Sequence, residues 1–186
     1  MPPPRNVRST VLISSRRALD ATGFQESYER HLPETARAEL GSVIAGVWLP
    51  MELGVAHYAA CEALGLSNEE QVKMGRKTGE RVNGTLLGTV ARLAHSAGVT
   101  PWTLIEQLPR FWTRGFDGGD LSHVVLGPKE ARVTIVDQPL MRFHYFRYGL
   151  AGTAELQLAL FCRRAFVRVE RFDARTFATT FRYQWV

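Results

Sequence analysis

The spacing of apolar residues changes near Gly115, and this change limits the folds open to the chain most strongly. Before Gly115, apolar residues recur at intervals of three or four, which indicates helices. After it, they alternate with polar residues in two pairs of segments, which flank Gly127-Pro128 and Asp173-Ala174 and indicate two hairpins. Residues 142–161, between the pairs, are predicted to form a helix. We therefore predict an α+β fold: an N-terminal helical part, then hairpin, helix and hairpin forming an antiparallel sheet.

The length of 186 residues suits one domain, and nothing in the sequence resembles a linker or a repeat. We expect residues 1–6, which contain three successive prolines, to be a disordered lead, and residues 7–186 to form a single domain. Residues 7–14 are predicted to be a strand. The longest segment without charged residues, 93–105, is too short for a membrane span, which takes about 20 apolar residues.

Charge and cysteine content set expectations for partners and location. The net charge of +5 lies entirely in residues 139–186, which hold eight arginines and three acidic residues. A charge excess in one part of a domain is weak evidence for a polyanionic partner, so nucleic-acid binding is not expected. Two cysteines, Cys61 and Cys162, are too few for a disulfide framework, and the first residues lack an apolar leader. We therefore expect a cytoplasmic protein.

The longest helical pattern covers residues 67–97 and opens with a capping box of Ser67 and Glu70. Its apolar face includes two glycines, Gly75 and Gly79. A glycine inside a helix costs about 1 kcal/mol relative to alanine, so we expect these two where another backbone or a ligand approaches closely. The apolar face comprises Val72, Gly75, Gly79, Val82, Leu86, Val90, Leu93 and Ala97.

Motifs for catalysis or metal binding are sparse. His57 and Cys61 stand four residues apart on one helical face, but this is half of a metal site without a second pair, so no metal is expected. Residues 75–79 have the composition of a phosphate loop but lie inside a helical pattern. Residues 117–120 lack the oxygen ligands of a calcium loop and are predicted to be a turn. Without a nucleophile elbow or paired carboxylates, no enzymatic activity is expected.

A short aromatic segment resembles known proteins. It runs Phe-His-Tyr-Phe-Arg-Tyr-Gly-Leu-Ala-Gly over residues 143–152 and is followed by an apolar helix and a closing hairpin. This arrangement resembles the C-terminal half of the ligand-binding fold shared by 4-vinyl-reductase-type domains, haem nitric-oxide sensors and Golgi transport subunits. The whole chain is also similar to a family of paralogous myxobacterial proteins of comparable length, through its Leu32-Pro33, Trp48-x-Pro50, Leu66-Ser67 and Gly75-Arg76 segments. Both resemblances imply a fold more than an activity.

The nitric-oxide sensors hold haem propionates with a Tyr-x-Ser-x-Arg motif that is followed by x-Gly-Leu. Arg147 and Gly149-Leu150 match this motif, whereas Phe143 stands at the Tyr position and Tyr145 at the Ser position. The resemblance also implies a proximal histidine, for which His95 is roughly placed. Because one hydroxyl is lost and the other is carried by a bulkier ring, we expect a colourless protein without haem or any other cofactor.

The leading functional hypothesis is a non-catalytic sensory or ligand-binding domain for a small apolar molecule, since ten phenylalanines and four tryptophans are enough to line an apolar pocket. The alternative is a protein-interaction or adaptor module with a filled core, acting as a dimer or in a larger assembly. A reductase-type enzyme is a third hypothesis. We expect a homodimer or another protein partner, with Gly75/Gly79 or Gly84/Gly88 allowing tight helix contact.

The predicted ligand site lies between the long helical pattern and the sheet, where the glycines are expected to leave room. Arg147 is the expected anchor for a carboxylate or phosphate, because a guanidinium presents a fork of donors. In the alternative, Trp48, Trp102 and Trp112 fill this volume. The predicted ligand-binding residues are Gly75, Gly79, Phe143, Phe146, Arg147, Leu150 and Phe181.

Overall fold

The computed structural model describes residues 3–82 and 100–186. The long helical pattern predicted for residues 67–97 is therefore tested only as far as Val82. Its later part, with Gly84, Gly88 and His95, lies outside the described residues. Within the described part, helices come first and are followed by hairpin, helix and hairpin, so the predicted α+β class is confirmed.

The described helices and strands are short and closely connected. The helices are α1 (Ser9–Ala21), α2 (Gln25–His31), α3 (Glu34–Ser42), α4 (Met51–Glu62), α5 (Asn68–Val82), α6 (Pro101–Gly115) and α7 (His144–Leu158), with a 3₁₀-helix at Pro139–Arg142. The strands are β1 (Asn6–Arg8), β2 (Trp48–Pro50), β3 (Asp120–Gly127), β4 (Glu130–Val136), β5 (Ala165–Asp173) and β6 (Ala178–Trp185). None of these helices is both long and apolar enough to span a bilayer.

The two predicted hairpins join into one four-stranded antiparallel sheet with the strand order β3-β4-β6-β5. The hairpins meet where β4 pairs with β6, and Phe181 of β6 stands opposite Val133 of β4 and Val169 of β5. In β4, Ala131, Val133 and Ile135 are buried in alternation, as expected of a sheet with one face in the core. Helix α7 covers this sheet at β5 and packs along α5 on its other side. The remaining strands, β1 and β2, form a separate antiparallel ribbon.

The prediction of a strand at residues 7–14 is wrong beyond Arg8, because helix α1 begins at Ser9. Three successive apolar residues at positions 11–13 favoured the strand. The buried positions instead recur with the helical period of three or four. They are Ser9, Leu12, Ser15, Ala18 and Leu19. Two of the five are serines, so hydrophobicity alone does not reveal the buried face.

Residues 3–6 of the lead expected to be disordered are held in place, which corrects the expectation for that part. Pro4 is buried, and Asn6 begins β1 by pairing with Pro50. The backbone N–H groups of Arg5 and Asn6 donate to Oδ1 of Asp117 at 2.8 and 2.9 Å. The Asp117 carboxylate, predicted to belong to a simple turn, therefore ties the N-terminus to the loop that follows α6.

The start of α5 matches its prediction. The Glu70 carboxylate accepts hydrogen bonds from the Ser67 backbone N–H at 2.8 Å and from the Ser67 hydroxyl at 2.7 Å. The Glu70 N–H donates back to Ser67 Oγ at 3.3 Å. This reciprocal capping box satisfies donors that the first turn of a helix leaves free, and it fixes where α5 begins.

Candidate functional site

A cavity of about 510 Å³ lies between helices α1, α5, α6 and α7 and the sheet. Its walls are mostly apolar and come from eight elements and the residue that follows α6. The apolar side chains that form them are Val11, Met74, Leu108, Phe111, Trp112, Phe116, Leu121, Ile135, Phe146, Leu150 and Ala154. A space of this size and character falls within the range of small-molecule sites, about 300–1,000 Å³.

Helix α6 supplies one wall because its buried residues share one face. Thr100 and Thr103 form a capping box at its start, and Pro109 does not end it, since the helix continues to Gly115. The indole N–H of Trp112 donates to the Gly118 carbonyl oxygen at 3.1 Å, so the ring carries no unsatisfied polar atom. The Trp112 ring also packs against Phe116 at a tilt of 33°, with 4.3 Å between ring centres. These contacts hold the aromatic wall in one position.

Among the polar side chains of the lining are those of Ser15 of α1, Tyr58 of α4 and Tyr145 of α7, which we call the polar end of the cavity. Behind Ser15 lies the fully buried His57, whose Nε2 is 3.0 Å from Ser15 Oγ. The other ring nitrogen, Nδ1, is 2.7 Å from the hydroxyl of Tyr28, which is also fully buried. Four helices thus contribute to one hydrogen-bonded cluster at the edge of the cavity.

This polar cluster is uncharged at neutral pH. Burial, with a smaller effect of Arg16, lowers the pKa of His57 to about 3. Burial also raises the pKa of the Cys61 thiol and of the Tyr58 and Tyr145 hydroxyls well above their usual ranges. Cys61 Sγ lies 3.6 Å from His57 Nε2, so the pair noted in the sequence is a buried neutral contact. No group of three or more potential metal ligands occurs among the described residues.

Three of the seven predicted ligand-binding residues line the cavity: Gly75, Phe146 and Leu150. Phe143 is half-buried, with the Arg142 guanidinium 4.8 Å from its ring centre. Phe181 is almost completely buried within the sheet core. Tyr183, two residues further along the same face of β6, lines the cavity instead.

Arg147 does not face the cavity, which corrects its assignment as the anchor for an anion. Its Nη1 donates to the Met141 carbonyl and, at 3.1 Å, to the Arg142 carbonyl. The Phe172 ring lies 4.1 Å from its guanidinium carbon, and burial lowers its pKa. Arg147 therefore closes the turn before α7. The arginine that lines the cavity is Arg114, an exposed residue near the end of α6 that the sequence patterns do not single out.

The two glycines of α5 serve close helix packing. A Cβ atom added at Gly75 would lie 1.8 Å from the Gly149 carbonyl oxygen, and one at Gly152 would lie 2.1 Å from the Val72 carbonyl oxygen. A Cβ at Gly79 would lie 3.1 Å from Leu156 Cδ2, and Gly79 does not line the cavity. The Cβ position of each glycine is therefore occupied by α7, although Gly75 also borders the cavity, so the expectations that the glycines leave ligand space and offer a dimer surface are corrected.

The three tryptophans proposed to fill the predicted site do not do so together. Trp48 is 41% exposed, with the Arg8 guanidinium over its ring. Trp102 packs edge-on against Trp185, with 4.8 Å between ring centres, and does not line the cavity. Trp112 borders the cavity as part of its wall. These three tryptophans therefore do not fill the cavity.

The described residues do not fit a haem group in this cavity. Its described lining contains no histidine or cysteine, and the buried His57 uses both ring nitrogens in hydrogen bonds. The tyrosines at the polar end are held in their neutral form by burial, which disfavours a phenolate ligand to iron. Arg147, the residue matched to the propionate-binding arginine, is occupied by backbone carbonyls. The remaining candidate ligand, His95, lies outside the described residues.

Comparison with known proteins places the fold. No protein-family model matches the chain, and no curated protein matches it. Among solved structures, the Fe(II) unliganded H-NOX protein of K. algicida has a TM-score of 0.64 and 7% identity, covering 96% of each chain. An oxygen-binding H-NOX domain related to soluble guanylate cyclases has a TM-score of 0.63 and 13% identity, covering 96% of this chain and 94% of its own. A variant of the T. tengcongensis H-NOX has a TM-score of 0.61 and 11% identity, covering 96% and 97%. The chain therefore has the fold of H-NOX domains, which confirms the fold implied by the resemblance to haem nitric-oxide sensors.

Proposed function

We propose that this protein is a non-catalytic sensory or ligand-binding domain that takes a small apolar molecule directly into its cavity. The observation that carries the proposal is the space of about 510 Å³ with aromatic and aliphatic walls. Its wall from α6 is fixed by the hydrogen bond of Trp112 to Gly118, so part of the site is preformed. The proposal requires neither a cofactor nor a protein partner. A cytoplasmic location stays a prediction.

The fold supports a binding role without naming the ligand. Among the solved structures that share this fold is an H-NOX domain described as oxygen-binding. Here the described lining offers no strong ligand to haem iron, whereas it offers a large apolar surface. Transfer of apolar surface from water contributes about 25 cal/mol per Å², so an organic molecule that fills this space gains binding energy without a metal.

A cavity-filling substitution tests the proposal. Leu150 lines the cavity and is half-buried, so a tryptophan at this position extends into the free space. We expect wild-type protein to bind the neutral dye N-phenyl-1-naphthylamine in a fluorescence titration. We expect Leu150→Trp to bind it at least about tenfold more weakly, with an unchanged circular dichroism spectrum. The matched control is Leu126→Trp, an exposed position on β3 that lies outside the cavity. Equal loss of affinity in both variants, or no binding by the wild type, would contradict the proposal.

A second function, self-association, is favoured by an exposed apolar segment on β3. This strand lies at one edge of the described sheet, and Val124, Val125 and Leu126 are 58%, 61% and 38% exposed. The segment carries no Asp, Glu, Lys or Arg, so antiparallel pairing with a second copy sets no like charges opposite each other. The opposite edge, β5, differs because it carries charged residues. They are Arg168, Glu170, Arg171 and Asp173.

Sedimentation equilibrium tests this second function. We expect a homodimer of the full chain, and a monomer for Val125→Lys, because a lysine on an edge strand opposes pairing. The control Phe166→Lys changes an exposed apolar residue of the other edge strand and should leave the dimer intact. A wild-type protein that stays monomeric at high concentration would reject the second function and leave the cavity proposal untouched.

A further inference from the structure

The cavity has an exposed edge where helix α6 ends beside the start of α1. Among the described residues of the lining, only Thr10 of α1 and Arg114 of α6 are exposed. A Cβ atom at Gly115 would lie 3.4 Å from Val11 Cγ2, so the two helices are in contact there. Thr10 and Arg114 each precede one of these two contacting residues and therefore lie at the same edge. We call these two residues the mouth of the cavity.

The mouth carries a positive charge. Arg114 is the one charged residue among the described residues of the lining, which include no Asp, Glu or Lys. Its guanidinium carbon lies 5.7 Å from the ring centre of Phe111, a half-buried residue that also lines the cavity. A long cationic side chain commonly places its stem along apolar surface and its charge in water. The charge of Arg114 thus stands beside the apolar wall and in contact with solvent.

No acidic side chain of the protein neutralises this charge. All 18 Asp and Glu residues belong to the described parts of the chain, because residues 1–2 and 83–99 contain none. None of them forms an ion pair with Arg114. The arginines of the sheet differ, since Arg132 pairs with Glu170 and Arg182 with Glu130. The guanidinium at the mouth is therefore available to an anionic group of a ligand.

The rest of the described lining does not favour either sign of charge. Its buried walls include the apolar side chains of Leu108, Trp112 and Phe146. Its other polar side chains are hydroxyls and the Gln157 amide, which are neutral and both donate and accept hydrogen bonds. A charged group placed among the buried walls would lose its hydration at high cost. A charged end of a ligand therefore belongs at the mouth, where only Arg114 distinguishes an anion from a cation.

We propose that the cavity takes an anionic amphiphile, whose apolar chain lies inside and whose single carboxylate stays at the mouth and accepts hydrogen bonds from Arg114. This inference rests on the proposed function and specifies its ligand class. A guanidinium presents two parallel donors that match the two oxygens of a carboxylate. Because the mouth is exposed, the head group keeps part of its hydration. An alcohol of the same length lacks the charge, and an ammonium is repelled.

Displacement of N-phenyl-1-naphthylamine from the full chain by three compounds tests the inference. Decanoate, decan-1-ol and decylammonium share a ten-carbon chain and differ in the charge of the head group at pH 7. We expect decanoate to bind the wild type about threefold to tenfold more tightly than decan-1-ol, and decylammonium to bind most weakly. Tighter or equal binding of decan-1-ol, or of decylammonium, would overturn the inference.

Charge-changing variants locate the effect at the mouth. We expect Arg114→Gln to remove the advantage of decanoate over decan-1-ol, and Arg114→Glu to bind decylammonium more tightly than decanoate. The matched control is Arg110→Glu, which makes the same change of net charge at an exposed position of α6 outside the lining. This control should keep the wild-type order of the three compounds. The same loss of decanoate affinity in Arg110→Glu and Arg114→Glu would overturn the inference, because net charge alone would then explain it.

The affinity of the dye separates this inference from the proposed function. The dye is neutral, so the wild type, Arg114→Gln and Arg110→Glu should bind it equally. If the wild type binds the dye and decan-1-ol but shows no preference for decanoate, the inference fails and the proposed function stands. If the wild type binds no dye, the proposed function fails, and the inference fails with it.

Discussion

The two sides of helix α7 differ in how closely they pack against their neighbours. On the side of α5, a Cβ atom at Gly75 would clash with the Gly149 carbonyl and one at Gly152 would clash with the Val72 carbonyl, so neither fits between the two backbones. On the side of α6, the helix presents Phe146 and Leu150 to a cavity of about 510 Å³. The side that faces α5 is thus closed, with Gly75 and Gly149 at its border with the cavity, and the side that faces α6 is open.

This difference shows how the two kinds of contact arise. A stretch of helix without side chains is a groove that a second backbone fills, because interiors pack to a density near that of organic crystals. Gly75 of α5 and Gly152 of α7 allow such contact, and the Thr153 hydroxyl adds a hydrogen bond to the Gly75 carbonyl oxygen at 2.8 Å. Large rigid rings such as Trp112 and Phe116 instead hold neighbouring elements apart and leave a space that they line.

The largest expected effect concerns the closed side. Gly75→Ala places a Cβ atom 1.8 Å from the Gly149 carbonyl oxygen, so the two helices must separate. We expect a loss of at least about 3 kcal/mol in the free energy of unfolding, measured by urea denaturation. The control is Gly41→Ala in α3, where a Cβ meets nothing within 4 Å and a gain of up to about 1 kcal/mol is expected. Equal stability of the two variants would show that the α5–α7 contact is not closed.

The next effect concerns the polar cluster on the open side and depends on pH. The folded-state pKa of His57 is about 3, below the ordinary value of 6.5, so the unfolded chain binds this proton first as pH falls. The His57 contribution to stability is therefore complete above pH 6.5 and decreases by about 1.4 kcal/mol for each pH unit from 6.5 towards 3.

Urea denaturation at pH 7 and pH 5 measures this pH dependence. His57→Gln removes the titrating group, so the difference in unfolding free energy between the two pH values should shrink by about 2 kcal/mol. His123→Gln on β3 leaves His57 in place and should keep the wild-type difference. A wild-type difference that persists in His57→Gln would mean that His57 is not buried in its neutral form.

A third effect separates stability from ligand binding at the start of α7. Arg147→Met leaves the Met141 and Arg142 carbonyls without their side-chain donor, and we expect a loss of about 1–3 kcal/mol. Affinity for N-phenyl-1-naphthylamine should not change, because Arg147 does not line the cavity. The exposed Arg163 provides the control, and Arg163→Met should alter neither quantity. Loss of dye affinity at unchanged stability would restore Arg147 as a ligand anchor.

The smallest effect refines the boundary between the two sides. A Cβ atom at Gly79 would lie 3.1 Å from Leu156 Cδ2, the far end of a flexible side chain. Its other close contacts, with Thr153, are at the ordinary distance of 3.5 Å. We expect Gly79→Ala to change the free energy of unfolding by less than about 1 kcal/mol, as helix propensity offsets the tighter contact. Dye affinity should be unchanged. A marked loss of dye affinity in this variant would move the cavity towards α5.

The sequence predicts the fold well where the signal is local. The change of apolar period near Gly115 and the turns at Gly127-Pro128 and Asp173-Ala174 give the hairpin, helix and hairpin, and Ser67 with Glu70 gives the start of α5. Helix α1 is not predicted from the sequence because two of its buried residues, Ser9 and Ser15, are polar. Their partners, the Val47 backbone and His57, come from distant parts of the chain.

The candidate site is less predictable, because its contacts join residues far apart in sequence. Ser15 and Tyr28 meet His57 across 42 and 29 positions, and only the neighbouring His57 and Cys61 are visible as a local pair. Gly75, Phe146 and Leu150 of the predicted ligand-binding residues line the cavity, and their role in binding stays a prediction. The sequence does not predict that Arg147 closes the turn before α7. Its side chain donates to backbone carbonyls, and a backbone acceptor is not specified by residue type.

Native mass spectrometry of the full chain mixed with N-phenyl-1-naphthylamine tests most directly whether the cavity itself binds an apolar molecule. We predict a complex with one dye molecule per chain for the wild type and for Leu126→Trp, and the free polypeptide for Leu150→Trp. The freshly purified protein should also lack the mass of haem and a Soret absorption band. A wild-type chain that takes up no dye, or one that carries haem in this cavity, would contradict the account.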